Sequence, residues 1–90
     1  MSATLVVRHQ VNDYAAWRTV YDELEPVRVE YGCTGNRVLR LPENMNDVLV
    51  THDFATVEKA GSFAQSAELH AAMERAGVAG PPQVEIFDVA

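Results

Sequence analysis

The chain has 90 residues, enough for one domain over residues 1–90. A domain of this size buries only about 60–65% of its unfolded surface, so a second copy would add useful burial. Acidic residues outnumber basic ones by 13 to 7, and the basic residues are scattered, which argues against nucleic acids and anionic membranes as partners. No apolar run is long enough to cross a membrane and no leader precedes the first strand, so we expect a cytoplasmic protein.

The first half of the chain predicts a strand, a long helix and a hairpin. A short apolar run with polar flanks predicts a strand over residues 3–10. Apolar residues then recur at spacings of three and four, which predicts a helix over residues 13–31, kinked at Pro26. Alternation with a period of two predicts strands over residues 34–41 and 47–54, joined by a loop of turn-forming residues.

The second half predicts a bent helix and a last strand. Thr56 is a good N-cap for a helix whose small apolar residues would pack closely on a sheet. A bend near Ser66 would bring the apolar stripe beyond it back into line with the first. Gly77 suits the left-handed position at the helix end, and residues 80–82, Gly-Pro-Pro, stop any continuation. Residues 83–89 predict the final strand.

This order of elements predicts an α+β, ferredoxin-like βαββαβ fold. Right-handed crossovers give a four-stranded antiparallel sheet with two helices on one face. Both faces of that sheet carry apolar side chains, and the helices can cover only one of them. Because the other face, with Val6, Leu49 and Phe87, needs a cover, we expect a homodimer that packs through this face.

Four motifs carry a resemblance to a known family: VNDYxxWxxxYD from Val11, FxxxE from Phe54, FAxSxEL from Phe63 and AGVxGPP from Ala76. Over nearly the whole chain they resemble small dimeric α+β barrel proteins, which include antibiotic-biosynthesis-monooxygenase-like proteins. The resemblance implies a dimer in which two four-stranded sheets pack into a barrel. It also implies a pocket in each subunit, between the sheet and the helices.

The resemblance is compatible with several functions. Characterised members include cofactor-independent quinone-forming monooxygenases, haem-degrading enzymes, polyketide cyclases and stress-related proteins. Haem-degrading members carry an Asn on the first strand and a Trp and a His on the second helix, but here the first strand has no Asn and the second helix no Trp. The cyclase-like pattern places a histidine where this chain has Leu69, one residue before His70. We therefore expect no cofactor.

Three residues mark the candidate pocket. His52 alternates with apolar residues on its strand, so it is either a buried structural histidine or a general base. Trp17 and Tyr21 lie one helical turn apart and face the sheet. They are either core residues or the wall of a site for a small apolar or aromatic ligand, with Phe63 and Leu69 beside them.

The other histidines are expected at the rim of this pocket. Antiparallel pairing of the central strands would separate His9 from His52 by roughly 15 Å, which argues against a metal site built on the pair. His70 is either a surface residue or a rim residue. Two functions stay open: a cofactor-free monooxygenase or polyketide-cyclase-like enzyme in which His52 moves a proton, and a noncatalytic ligand-binding or stress-related dimer.

Overall fold

The computed structural model describes residues 2–90, which form one sheet and a layer of helices. The elements in chain order are β1 (Ala3–Val11), α1 (Tyr14–Glu23), α2 (Glu25–Glu30), β2 (Gly35–Leu41), β3 (Asn44–Phe54), α3 (Val57–Ala64), α4 (Ala67–Arg75) and β4 (Val78–Asp88). The four strands lie in the order β2-β3-β1-β4, and every neighbouring pair is antiparallel. The predicted ferredoxin-like fold is confirmed, although the helix predicted over residues 13–31 is a pair of shorter ones.

The long helix predicted over residues 13–31 divides at Leu24, two residues before the expected kink. The backbone N–H of Leu24 is shared between the carbonyl oxygens of Val20 and Tyr21, which closes α1. Pro26 then lies in the first turn of α2, where a missing N–H costs no helical hydrogen bond. The proline therefore helps to begin a second helix instead of bending a single one.

The second helical segment bends where the sequence predicts. The Oγ1 of Thr56 accepts the backbone N–H of Lys59 and caps α3. At the junction with α4, the hydroxyl of Ser66 accepts the N–H of Leu69 at 3.1 Å and donates to the carbonyl oxygen of Phe63 at 2.8 Å. One buried hydroxyl thus joins the end of α3 to the start of α4.

The last strand is longer than residues 83–89. β4 begins at Val78 and includes the Gly-Pro-Pro segment, which lies beyond the end of the helix, as predicted, but inside the strand. Its pairing with β1 shifts here, so residues 80–82 stand opposite the single residue His9. Gly80 supplies the positive φ of this bulge, +76°. The two prolines are tolerated because β4 is an edge strand, whose outward N–H groups have no neighbour to bond.

The hairpin between β2 and β3 is tighter than predicted. β3 begins at Asn44, so the loop expected over residues 42–46 is a turn at residues 42–43. Residues 48, 50, 52 and 54 point to the buried face of the sheet, as their alternation predicts.

The two faces of the sheet are covered differently. The face with Leu5, Val7 and Phe54 packs against the helices and forms the core. We call the opposite face, with Val6, Leu49 and Phe87, the outer face. No helix of residues 2–90 covers it, and Phe87 is 53% exposed. Within residues 2–90, no helix is both long and apolar enough to pass through a bilayer.

Candidate functional site

A cavity lies between the sheet and helices α1, α2 and α4. Its volume is about 40 Å³, its wall is apolar apart from three polar side chains, and it is partly open to solvent. The side chains that line it are Val7, His9, Trp17, Val20, Tyr21, Leu24, Arg28, Val50, His52, Leu69, Ala72, Met73 and Ala76. Five of the seven predicted site residues are therefore in one wall, and Phe63 and His70 are not.

His52 lies on the buried face of β3, opposite Leu5 of β1 and Asn36 of β2. Only 3% of the residue is exposed, and its Nδ1 has no hydrogen-bond partner among residues 2–90. Burial, with a smaller effect from the positive charge of Arg28, lowers its pKa to about 4. At neutral pH the imidazole is therefore uncharged, and one of its ring nitrogens can accept a proton.

His9 lies in the wall of the cavity and not at its rim. It is buried near the end of β1, and in the part of the chain that the structure describes neither ring nitrogen has a partner. Burial lowers its pKa, and the charge of Asp47 opposes this only in part. The register pairs Leu5 with His52 and His9 with Val48, so the two histidines are about 13 Å apart along the strands.

A row of aromatic rings connects the two histidines. His9 meets Trp17 edge-on at 5.7 Å, and Trp17 stacks on Tyr21 at 5.0 Å with an interplanar angle of 18°. The Tyr21 ring is 6.3 Å from His52, whose ring is in turn 5.2 Å from Phe63. Trp17 and Tyr21 stack because four residues span about one helical turn.

The hydroxyl of Tyr21 anchors this row to the sheet. It donates a hydrogen bond to Oδ1 of Asn36 on β2. Burial is the main reason why the pKa of the Tyr21 phenol is raised, so the phenol keeps its proton at neutral pH. The ring therefore forms a fixed, neutral wall between α1 and the edge of the sheet.

Arg28 of α2 is the residue of this site that the sequence analysis missed. It is only 3% exposed, and its guanidinium lies over the Tyr21 ring, 4.0 Å from the ring centre. Nη1 donates to the carbonyl oxygen of Tyr21 at 2.8 Å, whereas Nε has no partner among residues 2–90. Its spacing in the sequence could have indicated this position. Trp17, Tyr21, Leu24 and Arg28 follow one another at intervals of four, three and four residues, which places Arg28 on the buried stripe.

Phe63 and His70 lie outside the cavity wall. Phe63 is fully buried and packs behind His52 and against Phe54, so it supports the site from the core. His70 is exposed on α4, where its Nε2 lies 3.2 Å from the carbonyl oxygen of Ala64. Across residues 2–90, no three side chains of the His, Cys, Asp or Glu type form a cluster that could hold a metal ion.

Solved structures share this fold. A protein described as an antibiotic biosynthesis monooxygenase from Bordetella bronchiseptica matches 99% of this chain and 97% of its own, with a TM-score of 0.83 and 21% identity. SnoaB, a cofactor-independent oxygenase from Streptomyces nogalater, matches 99% of this chain and 93% of its own, with a TM-score of 0.81 and 13% identity. A protein described as an antibiotic biosynthesis monooxygenase from Caulobacter crescentus CB15 matches 99% of this chain and 90% of its own, with a TM-score of 0.77 and 19% identity.

These likenesses confirm, for the fold, the resemblance that the sequence motifs indicate. No protein-family model matches the sequence, and no curated protein matches it. The chain has the fold of antibiotic-biosynthesis-monooxygenase-like proteins. One fold serves many chemistries, so the activity has to be argued from the cavity.

Proposed function

We propose that this chain, which has the fold of the antibiotic-biosynthesis-monooxygenase-like proteins, is a cofactor-independent oxygenase of a small aromatic or polyketide-like molecule. One observation carries the proposal. A neutral, buried histidine with a free ring nitrogen, His52, lies in an apolar cavity whose wall includes the stacked rings of Trp17 and Tyr21. The cofactor-independent activity of SnoaB, which shares the fold, supports this choice of reaction class.

A reaction of this class needs few catalytic groups, because the substrate itself supplies the electrons that reduce O₂. For a methylene group between two aromatic rings, removal of one proton gives a carbanion that the rings delocalise. This carbanion reduces O₂, and the methylene carbon and O₂ become a carbonyl group and one molecule of water. Both hydrogens of the methylene leave in that water, together with the second oxygen atom. The protein has to orient the substrate and take its proton.

The cavity can meet both needs. We assign His52 as the general base, since it is the histidine beside both Tyr21 and Arg28. The faces of Trp17 and Tyr21 orient a flat ring, and the mostly apolar wall offers few groups that would hold water beside the carbanion. A pKa of about 4 makes the empty site a weak base. A bound substrate that becomes negative would favour the imidazolium and strengthen it.

The test is oxygen uptake by wild-type protein and single histidine variants, with a panel of polycyclic phenols and activated methylene compounds. His52→Ala should lower turnover by about 10²–10⁴-fold, the usual contribution of a general base. His9→Ala should have a much smaller effect, and the exposed His70→Ala should have none. Unchanged oxygen uptake in His52→Ala would refute the assignment of the base.

A noncatalytic ligand-binding or stress-related dimer is the second candidate, and it is favoured because side chains fill most of the space between the sheet and the helices. About 40 Å³ holds only a few water molecules, so a ring system must displace side chains to enter. A protein that binds a small molecule without turnover would retain it on purification. Native mass spectrometry of freshly purified protein would detect that ligand, and oxygen uptake would then be absent.

We also propose that two copies pack through the outer face. Val6 and Leu49 are only half-buried, and Leu39 and Phe87 are exposed on a face without helices. Burying apolar surface releases about 25 cal/mol per Å², so the pairing of this face with its copy would be favourable.

A further inference from the structure

We infer that the ligand of the cavity is an acid, and that Arg28 binds its ionised oxygen. The ligand class is an aromatic ring system that bears a carboxylate or a phenolate. The inference rests on the proposed function, because it names the substrate class for the same cavity. It identifies Arg28 as a specificity-determining residue.

Arg28 differs from the arginines that form ion pairs in the structure. Three carboxylates pair with other arginines: Asp47 with Arg8, Asp22 with Arg18, and Glu23 with Arg75. Each of those arginine side chains is close to half exposed. Arg28 is almost fully buried, and over residues 2–90 no carboxylate lies within ion-pair distance of it. A buried charge without a counter-ion is costly, and a partner from outside the chain would remove that cost.

The guanidinium has donors left for such a partner. It carries five N–H donors, and the carbonyl oxygen of Tyr21 takes one of them, from Nη1. Nε has no partner in the described part of the chain. In this same protein Arg8 uses Nε and Nη2 to hold both oxygens of Asp47, at 3.0 and 2.8 Å. The same edge of Arg28 would hold a planar carboxylate through two parallel bonds, or a phenolate oxygen through one or two.

The surroundings of Arg28 suit the aromatic part of the ligand. The guanidinium covers one face of Tyr21, and that ring continues the stack to Trp17. His52 is 6.3 Å from Tyr21 between ring centres and feels the charge of Arg28. An anion at Arg28 would therefore lie beside the proton acceptor, with its ring along the aromatic row.

Tryptophan fluorescence gives a direct binding assay. Trp17 is the only tryptophan in the chain and it lines the cavity. The probes are benzoate, 4-cyanophenolate at a pH above its own pKa, and benzamide, the neutral isostere of benzoate. We expect at least one anion to quench Trp17 saturably and to bind at least about tenfold more tightly than benzamide. Comparing the two anions distinguishes a carboxylate ligand from a phenolate ligand.

Three variants test whether Arg28 causes that preference. In Arg28→Met the anion should bind about 10- to 100-fold more weakly, the usual loss of a charge-assisted hydrogen bond, while benzamide binding is unchanged. Arg28→Lys keeps the positive charge but loses the planar guanidinium, so its affinity for the anion should lie between those of the wild type and Arg28→Met. It also tests the inference if Arg28→Met does not fold. Arg18→Met is the matched control: Arg18 is also near Tyr21, at 5.4 Å, but its side chain is 45% exposed.

An NMR titration of His52 separates binding by Arg28 from a merely structural role. Anion binding should raise the pKa of His52 in the wild type, because it neutralises the charge that helps to depress that pKa. In Arg28→Met the pKa should already be higher without any ligand, and benzoate should no longer move it. A structural arginine would give no anion-dependent shift.

The possible failures point to different conclusions. Equal binding of benzamide and both anions, or an Arg28→Met variant that keeps the anion preference, overturns this inference and leaves the proposed function standing. No saturable quenching by any of the three probes overturns this inference, and oxygen uptake with the polycyclic phenols then decides on the proposed function by itself. Anion binding through Arg28, together with oxygen uptake that does not depend on His52, supports the inference and refutes the proposed function.

Discussion

The buried His52 links the stability of the fold to pH. Its pKa is about 4 in the folded chain, against 6.5 as its ordinary value. Between these two pH values the unfolded chain binds a proton that the folded chain does not, so the free energy of unfolding decreases as the pH falls. The loss begins near pH 6.5, is complete below about pH 4, and amounts to about 3 kcal/mol. His9, whose pKa is also lowered by burial, acts in the same direction.

Urea denaturation at a series of pH values from about 7 to about 4 measures this effect. His52→Gln, which cannot be protonated in this range, should show a clearly smaller dependence on pH than the wild type. The exposed His70→Gln should follow the wild type. Equal pH dependence in the wild type and His52→Gln would mean that the imidazole is not held neutral by burial.

Arg28 should reduce stability in the absence of a ligand. Its replacement by Met removes a buried charge without a counter-ion and keeps most of the side-chain volume, so Arg28→Met should raise the free energy of unfolding by about 1–4 kcal/mol. The lost hydrogen bond to the carbonyl oxygen of Tyr21 reduces the gain, by about 1 kcal/mol. Denaturation in urea measures the difference. Arg18→Met, which breaks an exposed pair with Asp22, should lower stability by about 1 kcal/mol or less. A destabilised Arg28→Met would show that Arg28 holds the fold together.

Among single residues, the sequence predicts some members of the site and not others. His52, Trp17 and Tyr21 follow from two periodicities, because alternation on a strand and four-residue spacing on a helix fix which side chains face inward. Arg28 occupies the same helical stripe, but an arginine side chain is normally solvent-exposed, and its burial goes with its contacts to Tyr21 of α1. His9 was expected at the rim. Its burial depends on Trp17, which covers it from the helix layer.

Among the elements, the junction between α3 and α4 depends on one hydroxyl. Ser66→Ala removes both the cap of α4 and the bond to the carbonyl oxygen of Phe63, so it should cost about 1–3 kcal/mol of unfolding free energy. Ser62→Ala, an exposed position inside α3, should change stability by less than about 0.5 kcal/mol. Thermal or chemical denaturation decides between them. Equal effects at the two serines would show that the junction is held by packing alone.

The breaks and ends of the helices and strands could be predicted only in part from neighbouring residues in the sequence. The bend near Ser66 was predictable because the apolar stripe shifts there, and the structure adds that Ser66 caps α4 at the same point. The break at Leu24 was misplaced because Pro26 was taken to bend one helix, whereas a proline in a first turn is compatible with a new one. The bulge in β4 depends on pairing with β1, some seventy residues away in the chain, and nothing within Gly-Pro-Pro reports that pairing.

At the scale of the whole molecule, the proposed dimer can be tested by the mass of the protein in sedimentation. The wild type should sediment as a dimer at micromolar concentration, because the outer face exposes Phe87 and leaves Leu49 half-covered. Leu49→Asp or Phe87→Asp would bury a charge at that contact and should shift the protein to monomer. Val29→Asp is the control, since Val29 is 64% exposed but lies on α2, away from the outer face. A wild type that sediments as a monomer would contradict the proposal.

The cavity wall is formed partly by strands and partly by helices. This arrangement affects how the site can change during evolution. The two histidines of the wall, His9 and His52, lie on β1 and β3, the two central strands, each of which is hydrogen-bonded to a neighbouring strand on both sides. Leu69, Met73 and most of the remaining wall belong to short helices. Substitutions on the helices can change the volume and the charge of the cavity, one residue at a time, while His52, the proposed proton acceptor, keeps its place on β3. A lineage of such proteins can therefore acquire new ligands without rebuilding the centre of its sheet.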